Sequence, residues 1–66
     1  MSKQEIGRAI TQFREANNIT RYNAITKRGV KLTYKQLADI EAGNKNYTID
    51  SLLEYTAAIG MKIKLH

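Results

Sequence analysis

Three stretches of the chain place apolar residues three or four positions apart, a fourth holds an adjacent apolar pair, and each is bounded by residues that start or stop a helix. In the first, Ile6, Ala9, Ile10 and Phe13 share one face. Ahead of them Ser2-Lys3-Gln4-Glu5 has the S-x-x-E form of a capping box, and Glu5 also suits the positive end of the helix dipole. Asn17-Asn18 suits a left-handed stop, so a helix is expected over residues 3–17. Thr20 can cap a second helix over 21–28, with Ala24 and Ile25 as its clear apolar residues and Gly29 following. The same stretch admits a short hairpin across 25–32 turning at Arg28-Gly29, because Val30-Lys31-Leu32 alternates; the helix is the preferred reading. Thr33 is a good N-cap for a third helix, with Leu37 and Ile40 on its buried side and Gly43 as its stop. Thr48 caps the fourth, with Asp50 in the first turn and Gly60 at the end. Its expected apolar side is Ile49, Leu52, Leu53, Tyr55 and Ile59. Residues 61–65 then alternate apolar and basic, which is the period of a strand.

The expected architecture is all-α: a small bundle of four to five helices with a short C-terminal β-strand. Proline, internal repeats and low-complexity tracts are absent, so residues 1–60 read as one domain and 61–66 as a tail. At 66 residues the chain buries only about 60% of its unfolded surface, and its stability is small. With no cysteine, and His66 as the sole histidine, disulfides and thiolate or imidazole metal clusters are excluded. No cofactor is expected. No apolar run is long enough to span a bilayer, and no segment has the form of a signal peptide, so a cytoplasmic location is expected.

Charge changes the picture more than length does. Eleven basic against six acidic residues give a net +5. Residues 21–45 hold Arg21, Lys27, Arg28, Lys31, Lys35 and Lys45 against Asp39 and Glu41, so six minus two places +4 of that charge in the middle of the chain. A concentrated basic segment attracts polyanions and releases counterions from a phosphate backbone. The third helix lies inside this segment and exposes Tyr34, Lys35, Gln36 and Asp39. Lys35 can donate to guanine O6 and N7, Gln36 can pair with adenine N6 and N7, and Asp39 can accept from cytosine N4. Tyr34 can pack on a thymine methyl or bond a phosphate. The bland alternative is a solvated helix face with Lys35 and Asp39 as a weak i,i+4 pair.

Three motifs in order, I-G-R-A-I-x-x-F-R-E-A-x-x-I-T at 6–20, L-T-x-x-x-L-x-x-I-E-x-G at 32–43 and I-x-x-L-L-x-x-x-x-x-I-G at 49–60, resemble the lambda-repressor-like, or Cro/Xre-type, helix-turn-helix family. The resemblance implies a recognition helix over 34–42 lying in the major groove, with 20–28 as the supporting helix. It places Tyr34, Lys35, Gln36 and Asp39 at base-contacting positions, and Arg21, Asn44, Lys45 and Asn46 at phosphate-contacting ones. Lys27, Arg28 and Lys31 would add backbone affinity without sequence information. Glu41, the glutamate of I-E-x-G, is expected to serve the fold, and Tyr47 and Tyr55 to pack. The chain departs from the family pattern at 27–31, which holds two extra residues, and Arg21 stands where a glutamine is usual.

The expected function is sequence-specific binding of double-stranded DNA as a transcriptional repressor. No nucleophile–base pair, phosphate-cradling loop or carboxylate cluster supports catalysis, so an enzyme is not expected. Met61, Ile63 and Leu65 are expected to pair with their counterparts in a second copy, giving a homodimer. The alternative function is an antitoxin that binds and neutralises a toxin protein, since short domains with a similar tail occur in that setting. A purely structural adaptor is a third reading.

Overall fold

The computed structural model of the chain describes residues 2–44 and 47–62. Among them are four helices, α1 (Lys3–Ala16), α2 (Arg21–Thr26), α3 (Tyr34–Ala42) and α4 (Ile49–Ile59). Each begins at the expected hydroxyl cap. Ser2 Oγ accepts from the Glu5 amide at 3.1 Å while Glu5 Oε1 accepts from the Ser2 amide at 3.3 Å, completing the capping box. Thr33 and Gln36 form a second box at the start of α3. Thr20 and Thr48 cap α2 and α4 by accepting from Asn23 and Ser51. Three of the stops are left-handed as expected, at Asn18 (φ 58°), Gly43 and Gly60.

The second helix ends two residues earlier than the sequence suggests, and no hairpin forms at residues 25–32. Both effects come from Val30. The amides of Lys27 and Arg28 donate back to the Asn23 carbonyl, and Gly29 turns the chain at φ 71°. The Val30 amide then returns to the Ala24 carbonyl at 3.1 Å, burying its side chain in the core. The turn between α2 and α3 is therefore anchored. It is also fastened to α4, through Arg28 Nη1 to the Ala58 carbonyl (3.2 Å) and the Lys31 amide to Glu54 Oε2 (2.9 Å).

The core comprises Ile10, Ile19, Ala24, Val30, Leu37, Ile40, Leu52, Tyr55 and Ile59, with Ile6, Phe13, Leu32 and Tyr47 packed around it. One expectation for α4 is corrected: Leu52, Tyr55 and Ile59 are buried, but Ile49 and Leu53 are 55% and 40% exposed. The buried stripe runs through Leu52, Tyr55, Thr56 and Ile59, and the other two lie four apart on its flank. Residues Met61 and Lys62 carry no strand; the Met61 amide donates to Thr56 and its side chain packs on the core. The rest of the expected strand, including Ile63 and Leu65, lies outside the described residues, as do Lys45 and Asn46.

What positions α3 is a close crossing with α1. A Cβ at Gly7 would lie 2.3 Å from the Glu41 carbonyl oxygen and 2.7 Å from that of Ile40. Beside it, where the end of α3 meets the start of α1, a Cβ at Gly43 would lie 2.8 Å from Gln4 Cα. Two glycines thus bring the helix backbones nearly into contact. No helix among the described residues is long and apolar enough to cross a membrane.

Candidate nucleic-acid interface

The inner face of α3 holds Leu37, Ile40 and Glu41. A carboxylate among apolar residues requires partners, because an unpaired buried charge costs several kcal/mol. Glu41 has four. Arg14 donates through Nε to Oε2 at 3.0 Å and through Nη2 to Oε1 at 3.2 Å. Arg21 donates to Oε1 through Nη2 at 2.8 Å and Nε at 3.2 Å. Thr11 adds a bond to Oε1 at 3.0 Å, and the Tyr55 hydroxyl donates to Oε2. Burial alone would raise the Glu41 pKa, but the donors outweigh it and hold the group down at about 2. The same carboxylate, after the effect of burial, pushes the Tyr55 phenol up. Through this one side chain α1, α2, α3 and α4 are joined, and α3 is fixed in rotation.

Rotation fixes what the outer face presents. Tyr34 and Lys35 project from the first turn, and both are exposed. Lys35 Nζ rests 3.1 Å from Asp39 Oδ2 with its side chain 85% exposed. A surface i,i+4 pair of this kind is worth a few tenths of a kcal/mol and yields easily to a stronger partner. Asp39 also accepts from Asn44 Nδ2 at 2.8 Å, and its pKa is lowered by Lys35 first and Asn44 second. Asn44, expected on phosphate, thus orients Asp39. Gln36 Oε1 accepts from the Thr33 amide at 2.8 Å as half of the capping box, which turns the side-chain amide back toward the start of α3. A bidentate adenine contact would require that box to open, at about 1 kcal/mol. Between this face and the start of α4 lies a cleft of about 130 Å³, lined by Gln36, Asp39, Ile40, Tyr47, Thr48 and Ser51.

Among the described residues, the expected phosphate-contacting cations Arg21, Lys27, Arg28 and Lys31 have different surroundings. Arg21 reaches Glu41, near the end of α3, and Tyr34, at its start, and its guanidinium carbon is 5.5 Å from the Tyr34 ring centroid. Lys27 and Arg28 instead line a separate open groove with Asn17, Asn18, Ile19 and Asn23. Lys31 is exposed in the turn between α2 and α3. Tyr47 packs as expected, with Lys3 Nζ 4.4 Å from its ring centroid.

Sequence reasoning missed Arg14 and the role of the Tyr55 hydroxyl. The signal was present: Arg14 falls four residues after Ile10 and seven after Gly7, on the buried stripe of α1. An arginine on an apolar stripe requires an anionic partner, and Glu41 stands in the equivalent place on α3. The chain matches no protein-family model and no curated protein.

Proposed function

We propose that the chain reads double-stranded DNA by sequence, as a transcriptional regulator that represses, with α3 in the major groove and no catalytic activity. The observation that carries this reading is the two-sidedness of α3. Its inner face is locked by the Glu41 network, while its first turn presents Tyr34 and Lys35. Base recognition needs such rigidity, because a bidentate contact discriminates by about 1–3 kcal/mol only when the donor is held in place. Lys35 is the main base-reading cation, and Tyr34 is its neighbour. Lys27, Arg28, Lys31 and Lys45 supply affinity along the phosphate backbone. Two copies would read two half-sites about one helical turn, 34–36 Å, apart.

Selection from a random duplex pool at near-physiological salt tests this. An enriched motif is expected, and Lys35→Ala should remove the preference at one position while circular dichroism stays unchanged. Retained DNA with random sequence would refute the reading. A second reading, the antitoxin, is favoured by the exposed Ile49 and Leu53 on α4, which offer an apolar contact to a protein partner. Co-expression with a candidate toxin, and loss of its capture by Leu53→Asp, would support it over a free regulator.

A further inference from the structure

The Arg21–Tyr34 pair has a geometry that a simple phosphate contact does not need. Arg21 has five N–H groups. Two of them point at Glu41 Oε1 and a third, on Nη1, reaches the Tyr34 hydroxyl at 3.3 Å. The Glu41 side chain is only 3% exposed and that of Arg21 is 29% exposed. Swinging the guanidinium out to a phosphate would remove two donors from a buried carboxylate, which is unfavourable. Arg21 is therefore held inward, and what it presents outward is Tyr34.

That orientation sets the polarity of the phenol. A tyrosine hydroxyl both donates and accepts. Here the oxygen accepts from Arg21, and the hydroxyl proton is donated to no other described residue. Two arginines share the one Glu41 carboxylate, so the cluster keeps a net positive charge behind the ring, and a cation donating to the oxygen strengthens the outgoing O–H as a donor.

Resting on the DNA-binding reading above, we propose that Arg21 is a positioning residue that makes Tyr34 a donor-only probe of one base edge. In the major groove guanine offers N7 and O6, adenine N7 and thymine O4 as acceptors, whereas cytosine offers only its amino donor. Tyr34 then accepts guanine, adenine or thymine at its position and rejects cytosine.

The test uses the site enriched from the random pool and its single-base variants, with affinities measured by fluorescence anisotropy for the full chain. Wild type should bind the cytosine variant at one position about five- to tenfold more weakly, the worth of one neutral hydrogen bond. Tyr34→Phe removes only an exposed hydroxyl and should abolish that discrimination without loss of fold. Arg21→Gln, measured where circular dichroism shows it folded, should abolish the same discrimination, and the double variant should lose no more. The proposal fails if Tyr34→Phe leaves the preference intact. It also fails if Arg21→Gln weakens all duplexes equally and lowers the salt slope by about one, which is the signature of a phosphate contact. A wild-type protein with no base preference at any position would instead overturn the DNA-reading function itself.

Discussion

Replacing Gly7 by alanine sets two effects of opposite sign against each other. Alanine is the better helix former by about 1 kcal/mol in a helix interior, so propensity alone predicts stabilisation. The crossing with α3 predicts the reverse. The new Cβ would lie 2.3 Å from the Glu41 carbonyl oxygen, and the next nearest atoms, at 2.7 Å, are also backbone. Comfortable separation is about 3.5 Å, so the helices must part by about 1 Å. No flexible side chain can absorb that. Overpacking of this sort costs about 1–3 kcal/mol. The same displacement pulls Thr11 and Arg14, both on α1, from their 3.0 Å bonds to Glu41, whose complete loss would cost about 3–5 kcal/mol. Subtracting the propensity gain leaves a net destabilisation of about 2 kcal/mol or more. For a domain of this size that lowers Tm by about 8–16 °C. Thermal denaturation followed at 222 nm measures it directly. A Tm equal to or above that of wild type would show that α1 and α3 do not cross at this contact.

Four further outcomes follow from the same structure. Glu41 titrates at about 2 in the fold against 4.5 when free, so its contribution is complete above pH 4.5 and is lost as pH falls toward 2. At about 1.4 kcal/mol per pH unit this amounts to roughly 3 kcal/mol, and urea midpoints from pH 6 to pH 2 should fall accordingly; a flat profile would contradict the buried pairing. Tyr55→Phe removes one donor to that carboxylate and should lower stability by about 2 kcal/mol in urea titrations, while a neutral result would place the hydroxyl outside the network. Val30→Ala should cost about 2 kcal/mol by thermal melting, since the turn between α2 and α3 is anchored there; an unchanged Tm would mean the turn is not part of the core. Lys45→Ala should weaken binding to all duplexes about equally and flatten the salt dependence, whereas an altered sequence preference would argue against a phosphate role.

Helix starts and stops were the most legible features, because each depends on one local residue: Ser2, Thr20, Thr33 and Thr48 cap, and Asn18, Gly43 and Gly60 turn. The exposed first turn of α3 was legible for the same reason. What local pattern could not supply was distance across the fold. The end of α2 depends on Val30 returning to the core, a contact invisible to periodicity within 21–28. Arg21 looked like a solvent-facing cation because its partner is 20 residues away. Gln36 is a different case, because its partner is local: T-x-x-Q at residues 33–36 is itself a capping-box pattern that engages the amide oxygen. Ile49 and Leu53 looked buried because apolar character does not distinguish the centre of a stripe from its flank.

The central claim is that the exposed face of α3 is the surface that meets DNA. Backbone amide shifts of the ¹⁵N-labelled chain, titrated with an enriched duplex at moderate salt, test it most directly. The predicted shifts are largest at residues 33–39 and at Arg21, with Ile49 and Leu53 little changed. Shifts concentrated on Ile49 and Leu53, or none at all, would contradict the account.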